Sequence, residues 1–372
     1  MIKEYIQNKL NNRKDMSILM VITIGFLLGT FITLNAFDLN NIIENKNIIL
    51  AVVCLIIMLI KRKELEEELS IREKKRFLFF YILWLTLLIT ILISKIIHKE
   101  LNIIDDLIFM TIVPIFFFYN NSYKQDENIR IASFLNIFPL ICIMKPVNSI
   151  AIIISFIGVM ILNLTMNNIK KNGKIITYVI IVAIISVLIM LTRCRTALIT
   201  FAIIAIVNYI SIVVNCKNDE NVRRKNKYFL IILLVLSPII LFTLKNYIFN
   251  KYESTSTNLT SGRTKMWKII LEEDVGAFGL GNQKLINDIN KGDSHNIFFQ
   301  TLGHYGIIPT ILFVFVNAYL IYRCIKKKNF EIINLCLCYY LIGMFENILI
   351  FDTRIIMCNF IFFYLAGKLL KD

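Results

Sequence analysis

The sequence predicts an all-α, polytopic integral membrane protein of about twelve transmembrane helices, one membrane domain over 1–372 with a single long extracytoplasmic loop at 250–294. Three observations predict it. The chain is 57% hydrophobic. Its apolar runs recur at lengths near the ~20 residues a bilayer span requires. Its basic residues fall unequally on alternate connections, as they do when Lys and Arg near span ends stay on the cytoplasmic side.

Read in order, the spans lie at 17–35, 48–60, 77–97, 103–119, 130–145, 147–166, 175–192, 196–215, 228–249, 303–322, 331–350 and 353–370. The second is short and needs residues before Ile48 to cross. No small-residue cleavage pattern follows the first, so it reads as a retained span rather than a removed signal. With both termini inside, 27 of the 41 Lys and Arg residues fall on the cytoplasmic side. Half of the other 14 lie in or beside the long outer loop, so the short outer connections hold very few. The net charge of +15 is therefore inner-leaflet anchoring rather than a nucleic-acid surface. The chain is expected to be embedded in a membrane, with membrane lipid as a partner.

The eight cysteines are spread along the chain and none falls in the long loop, which suggests neither a disulfide framework nor a metal site. Cys336 and Cys338 stand on different faces of a helix and read as apolar filler. No obvious hydropathy repeat divides the chain into halves, which argues against a repeat-built transporter.

The loop at 250–294 opens with "ESTSTNLTSG" and then turns amphipathic. Met266, Trp267, Ile270 and Leu271 recur at spacings of three to four, so they line one side of a short helix, placed against the membrane face. "FGLGN" supplies a glycine-rich break, and "QKLINDINKG" reads as a second short helix stopped by Gly292. Six basic and six acidic residues leave the loop neutral, so it is no simple anion funnel.

Charges inside a bilayer cost roughly 2.5–3.5 kcal/mol on insertion scales, so those in or beside spans need a reason. Arg193 and Arg195, in "LTRCRTAL", stand at the outer junction of the seventh and eighth spans, against the positive-inside trend. Snorkelling at a tight hairpin is one reading of Arg193; Arg195 reads as functional. Arg354 follows Asp352 by two residues and has a local pairing available. The topology allows Arg193, Arg195, Arg263, Arg354 and His295 on one side of the membrane. Several planar guanidinium forks there suit a pyrophosphate, because each can donate two hydrogen bonds to phosphate oxygens. Glu346, inside the eleventh span, reads either as a proton-relay carboxylate of a transporter or as a hydrogen-bonded Glu between helices.

Two of the three histidines lie in "SHNIFFQTLGHYG", residues 294–306. Asp293 and Ser294 are good N-cap residues, which places His295 in the first turn of a helix continuing as the tenth span. Nine residues on, His304 would then face the opposite side of the same helix, so the two cannot share a metal. A neutral imidazole near the surface remains a plausible general base, since its unperturbed pKa of about 6.5 is close to working pH.

These residues resemble the O-antigen polymerase and O-antigen ligase family of bacterial envelope proteins. "CRTALITF" (194–201) resembles the family's Ser-Arg start of a span, with Cys194 in place of Ser. "SGRTKMWKIILEEDVGAFGLGN" (261–282) resembles its Arg, Trp and Gly-x-Gly pattern in the large outer loop, without the Pro that often precedes the glycines. "SHNIFFQTLGHYGIIP" (294–309) resembles its His-Asn followed, after nine residues, by Gly, here with Pro309 three positions later. The resemblance covers about 130 residues, from 190 to 322.

What it implies is a GT-C-like, cofactor-free and metal-independent glycosyltransfer on the outer face, from an undecaprenyl-pyrophosphate-linked oligosaccharide to a sugar hydroxyl. Arg195 and Arg263 would hold the departing pyrophosphate, and His295 would orient or deprotonate the acceptor. Arg193, Asn296, Arg354, Trp267, Gly279 and Gly281 would contribute to substrate binding, and His304 has no implied role. A flippase and a chain-length regulator of the same pathway are the protein partners expected. A polymerase, acting on a second lipid-linked repeat unit, is favoured over a ligase acting on lipid A core, because polymerases vary greatly in sequence. A flippase would instead show two similar halves and short outer loops. A membrane acyltransferase would place its histidine early in the chain.

Overall fold

The computed structural model describes residues 51–59 apart from 53 and 57, together with 70–100, 104–120, 148–168, 174–192, 194–215, 224, 263–281, 284, 294–346, 348 and 356–371. Among these residues the structure is helical and has no strand. Helix α1 is Ile71–Ile97, α2 Ile104–Asn120, α3 Asn148–Asn168, α4 Lys174–Leu191, α5 Arg195–Asn215, α6 Arg263–Glu272, α7 Ile297–Tyr305, α8 Ile307–Lys327, α9 Phe330–Gly343 and α10 Ile356–Leu370. The expected spans at 17–35, 130–145 and 228–249, the second helix of the long loop, Arg193 and Arg354 lie outside the described residues.

Helices α1 to α5 and α10 coincide with six of the expected apolar runs, and α9 covers only the first part of the run at 331–350. Helix α1 begins earlier than its apolar run because Ser70 caps it: its hydroxyl accepts from the Glu73 amide at 3.2 Å, while the Glu73 carboxylate accepts from the Ser70 amide at 2.8 Å. Its 27 residues extend about 40 Å, more than the ~30 Å hydrocarbon layer. By length and composition α1 and α8 can cross a membrane, and six shorter apolar helical stretches accompany them among the described residues.

Outward faces are apolar at helical spacing. Ile180, Ile184, Val187 and Leu191 line α4, Ile199, Ile203, Ile206 and Ile210 line α5, and all are exposed. Contiguous aliphatic stripes of this kind suit hydrocarbon rather than water as the surrounding medium. The inward faces make one core, in which Trp84 is fully buried and its indole donates to the Met110 carbonyl at 2.9 Å. Helices α1, α2, α8 and α10 pack on one side, and α3, α4, α5 and α9 on the other. Asn334 of α9 donates to Asn163 of α3 and to Asn208 of α5, tying three helices where water is excluded.

The two ends of the bundle differ. At one end Arg323 donates to the Leu369 carbonyl at 3.1 Å and Lys327 to the Lys368 and Lys371 carbonyls at 2.6 and 3.0 Å, so cations satisfy the last turn of α10. At the other end lie the N-termini of α3, α5, α7 and α8, the C-termini of α1 and α9, and all of α6.

The tenth span is corrected. It is two helices, α7 and α8, broken at Gly306, whose φ of 93° no L residue adopts comfortably. The apolar side of α6 differs in part from the expected one. Its inward residues are Met266, Ile269 and Ile270, which form a small core with Val275, Leu280, Phe299 and Leu302, so the helix packs on α7. Leu271, expected on that face, is 65% exposed.

Candidate functional site

The glycine-rich segment 276–281 is built to meet the break at Gly306. Gly276 and Ala277 offer their carbonyls to the Ile307 and Ile308 amides at 3.2 Å each, which satisfies two orphan donors at the start of α8. Leu280 donates to the Gly303 carbonyl at 2.9 Å. Gly279 and Gly306, both at positive φ, approach so closely that a Cβ on either would enter the other's backbone. From α1, Ser94 donates to the Phe278 carbonyl at 2.6 Å and His98 Nε2 lies 3.2 Å from it. A Cβ on Gly281 would strike the His98 ring. Gly279 and Gly281 thus serve backbone packing, and His98 holds the loop.

Gly306→Ala should lower the yield and melting temperature of detergent-extracted protein, with a backbone cost of about 1–3 kcal/mol before any clash is counted. Gly276→Ala is the control, because nothing lies within 4 Å of its Cβ position. Equal behaviour of the two variants would refute the close-approach explanation.

His295 lies outside α7, not in its first turn. The N-cap is Asn296, whose side-chain oxygen accepts from the Phe298 and Phe299 amides at 2.9 and 3.1 Å. Its side-chain nitrogen donates to the Met344 carbonyl at 3.0 Å. The Asn296 side chain thereby fastens α7 to the turn beyond α9. Ser294 is fixed from two directions: its amide donates to Gln300 Oε1 at 2.6 Å, and its carbonyl accepts from Trp267 Nε1 at 2.8 Å. Trp267 also stacks on Phe299 with ring centroids 5.2 Å apart. Between these anchors His295 is held at φ 52°, a left-handed conformation uncommon outside glycine and a frequent mark of functional sites.

The imidazole meets Glu346. The eleventh span is shorter than expected, since α9 ends at Gly343 and Glu346 sits in the turn that follows. Its side chain is only 6% exposed. Arg263 Nη2 donates to its Oε1 at 2.9 Å and the Thr196 hydroxyl to the same oxygen at 3.1 Å. Asn148 Nδ2 reaches Oε2 at 3.4 Å, and His295 Nδ1 lies 3.6 Å from it. Burial pushes the carboxyl up, but the contact with His295, the Arg263 charge, the His295 charge and the Thr196 hydroxyl outweigh it and hold Glu346 below its ordinary value. The depressed pKa contributes stability above the ordinary value of 4.5, which is lost as pH falls through the lower folded value.

The structure thus brings Arg263 and His295 together. Arg195 opens α5 immediately before Thr196, at the same end of the bundle. His304 is buried in the last turn of α7, about 12 Å along the helix axis from the His295 end, and is not its partner. Sequence reasoning noticed Glu346 but not its partners, and missed Thr196 and Asn148. The only signal for Thr196 was its place beside Arg195. Among the described residues no three His, Cys, Asp or Glu side chains converge as metal ligands would.

No curated protein matches the chain at a significant level. Residues 180–314, the segment that carries Arg195, Arg263 and His295, match the family model described as O-Antigen ligase.

Proposed function

We propose that this protein is a polymerase of undecaprenyl-pyrophosphate-linked oligosaccharide repeat units in O-antigen or capsule synthesis. The observation that carries the reading is the convergence of Arg263 and His295, with the start of α5 at Arg195 and Thr196, at one end of the bundle inside the matched domain. The termini lie on the cytoplasmic side and this end faces outward.

Arg195 and Arg263 bind the donor's pyrophosphate and stabilise the charge that grows as it leaves, as fixed cations at a developing charge do. Arg263 Nε is a buried donor with no partner among the described residues, so the guanidinium has capacity left for a phosphate oxygen. His295, 32% exposed, takes the proton of the acceptor hydroxyl. The hydroxyl oxygen bonds to the anomeric carbon, and the bond from that carbon to the pyrophosphate oxygen breaks with its electron pair going to the phosphate. Phosphate departure needs positive charge rather than a proton, so no general acid is required.

The test is a proteoliposome assay with a purified lipid-linked repeat unit as both donor and acceptor. Chain growth without lipid A is the expected result; growth only on lipid A core would make the protein a ligase. EDTA should change the rate little, and strong inhibition would reassign the chemistry to a metal-dependent transferase.

A further inference from the structure

We infer that Glu346 is the positioning residue of the transfer: shared between Arg263 and His295, it orients the imidazole as a base and releases Arg263 to the donor's pyrophosphate. The inference rests on the transfer reading above.

The surroundings of this carboxylate exceed what a structural ion pair needs. A buried carboxylate requires one cation and enough donors to satisfy its oxygens. Glu346 has Arg263 from α6, His295 from the segment before α7, Thr196 from the first turn of α5 and Asn148 from the start of α3, with Arg195 next to Thr196. One of its partners, His295, is a third exposed and held in a left-handed backbone conformation. Moreover, the Asn296 to Met344 hydrogen bond joins the residue after His295 to the turn that carries Glu346, so the two side chains cannot drift apart independently.

A carboxylate beside Nδ1 keeps the proton there and leaves Nε2 to accept the one from the acceptor hydroxyl. The imidazolium that forms is stabilised by the same charge and later gives its proton to water. Glu346 remains ionised throughout. Before the lipid-linked donor binds, the Arg263 guanidinium and the Nδ1 side of the His295 ring share it. Once pyrophosphate oxygens take the Arg263 guanidinium, the carboxylate acts on His295 alone, so donor binding raises the basicity of the group that activates the acceptor.

The experiment uses the full chain in proteoliposomes, with rates normalised to inserted protein and measured from about pH 5 to pH 9, the range in which an imidazole titrates. Glu346→Gln retains an acceptor for Arg263 and Thr196 but not the charge. Its kcat should fall on the order of a hundredfold, with the donor KM not raised. The midpoint of the acid limb of its kcat profile should move to lower pH, because an imidazolium without its carboxylate loses its proton more easily. Glu346→Asp should restore part of both effects. On a His295→Ala background, Glu346→Gln should cost little more, since the two act as a unit.

An unmoved acid limb, or full additivity with His295→Ala, overturns the inference and leaves the transfer reading standing. If instead the wild-type chain does not extend the lipid-linked substrate, or His295→Ala is as fast as wild type, the transfer reading itself fails and takes the inference with it.

Discussion

His295→Ala abolishes visible chain growth in the reconstituted assay while the protein remains in the membrane. A general base is worth roughly 10²–10⁴ in rate, enough to remove long products altogether. Alanine is also poorly suited to the φ of 52° at this position, so His295→Asn is the needed companion. Asparagine tolerates the left-handed region and has no basic nitrogen, so it should be just as inactive with better folding. His304→Ala provides the contrast. That ring is buried at the far end of α7, and its removal should cost stability with only a mild effect on turnover. A near-normal distribution of chain lengths from His295→Asn would remove the base assignment.

The helices were largely legible in the sequence because lipid leaves a strong signature. A run such as 77–97 has to be apolar over a fixed length, whatever it packs against. Its capping start at Ser70 was legible too in principle, since Ser-x-x-Glu precedes the run, but hydropathy alone stops at the charges of 72–76. The break at Gly306 was hidden because the helix-compatible pattern of 297–305 runs directly into the apolar run that begins at Ile307. Its signals were the glycine itself and Pro309, a residue tolerated in a first helical turn and not in a helix interior.

The candidate site divides in the same way. The family pattern of Arg, Gly-x-Gly and His-Asn marked segments that the structure brings to one end of the bundle, and the structure supplies a physical reason for parts of it. Gly279 and Gly306 need each other's missing side chains, and Asn296 needs its amide to cap α7. Glu346 was legible only as an expensive residue. Its partners are 83 residues away at Arg263, 150 at Thr196 and 198 at Asn148, and no local pattern encodes such pairings.

Arg263→Ala should be the second inactivating change, and it also tests whether the guanidinium serves the fold or the reaction. Removing one preorganised donor from a developing charge costs about 10²–10³ in kcat. The same substitution leaves a buried carboxylate without its closest cation, for which about 3–5 kcal/mol is typical of fully buried pairs. The loss here should be smaller, because the Arg263 side chain is 19% exposed and His295, Thr196 and Asn148 stay near Glu346. Inactivity of the single variant is therefore ambiguous, and the double variant Arg263→Ala with Glu346→Gln resolves it. Taking away the unpaired charge should return the amount of folded, membrane-inserted protein toward the wild-type level. Transfer should not return, because nothing then replaces the cation that meets the pyrophosphate. Arg263→Lys, which keeps the charge but loses the planar fork, should fall between them, with a weaker donor KM. Recovery of chain growth in the double variant would make Arg263 a structural partner of Glu346 and leave Arg195 as the remaining described arginine of the candidate set for the phosphate.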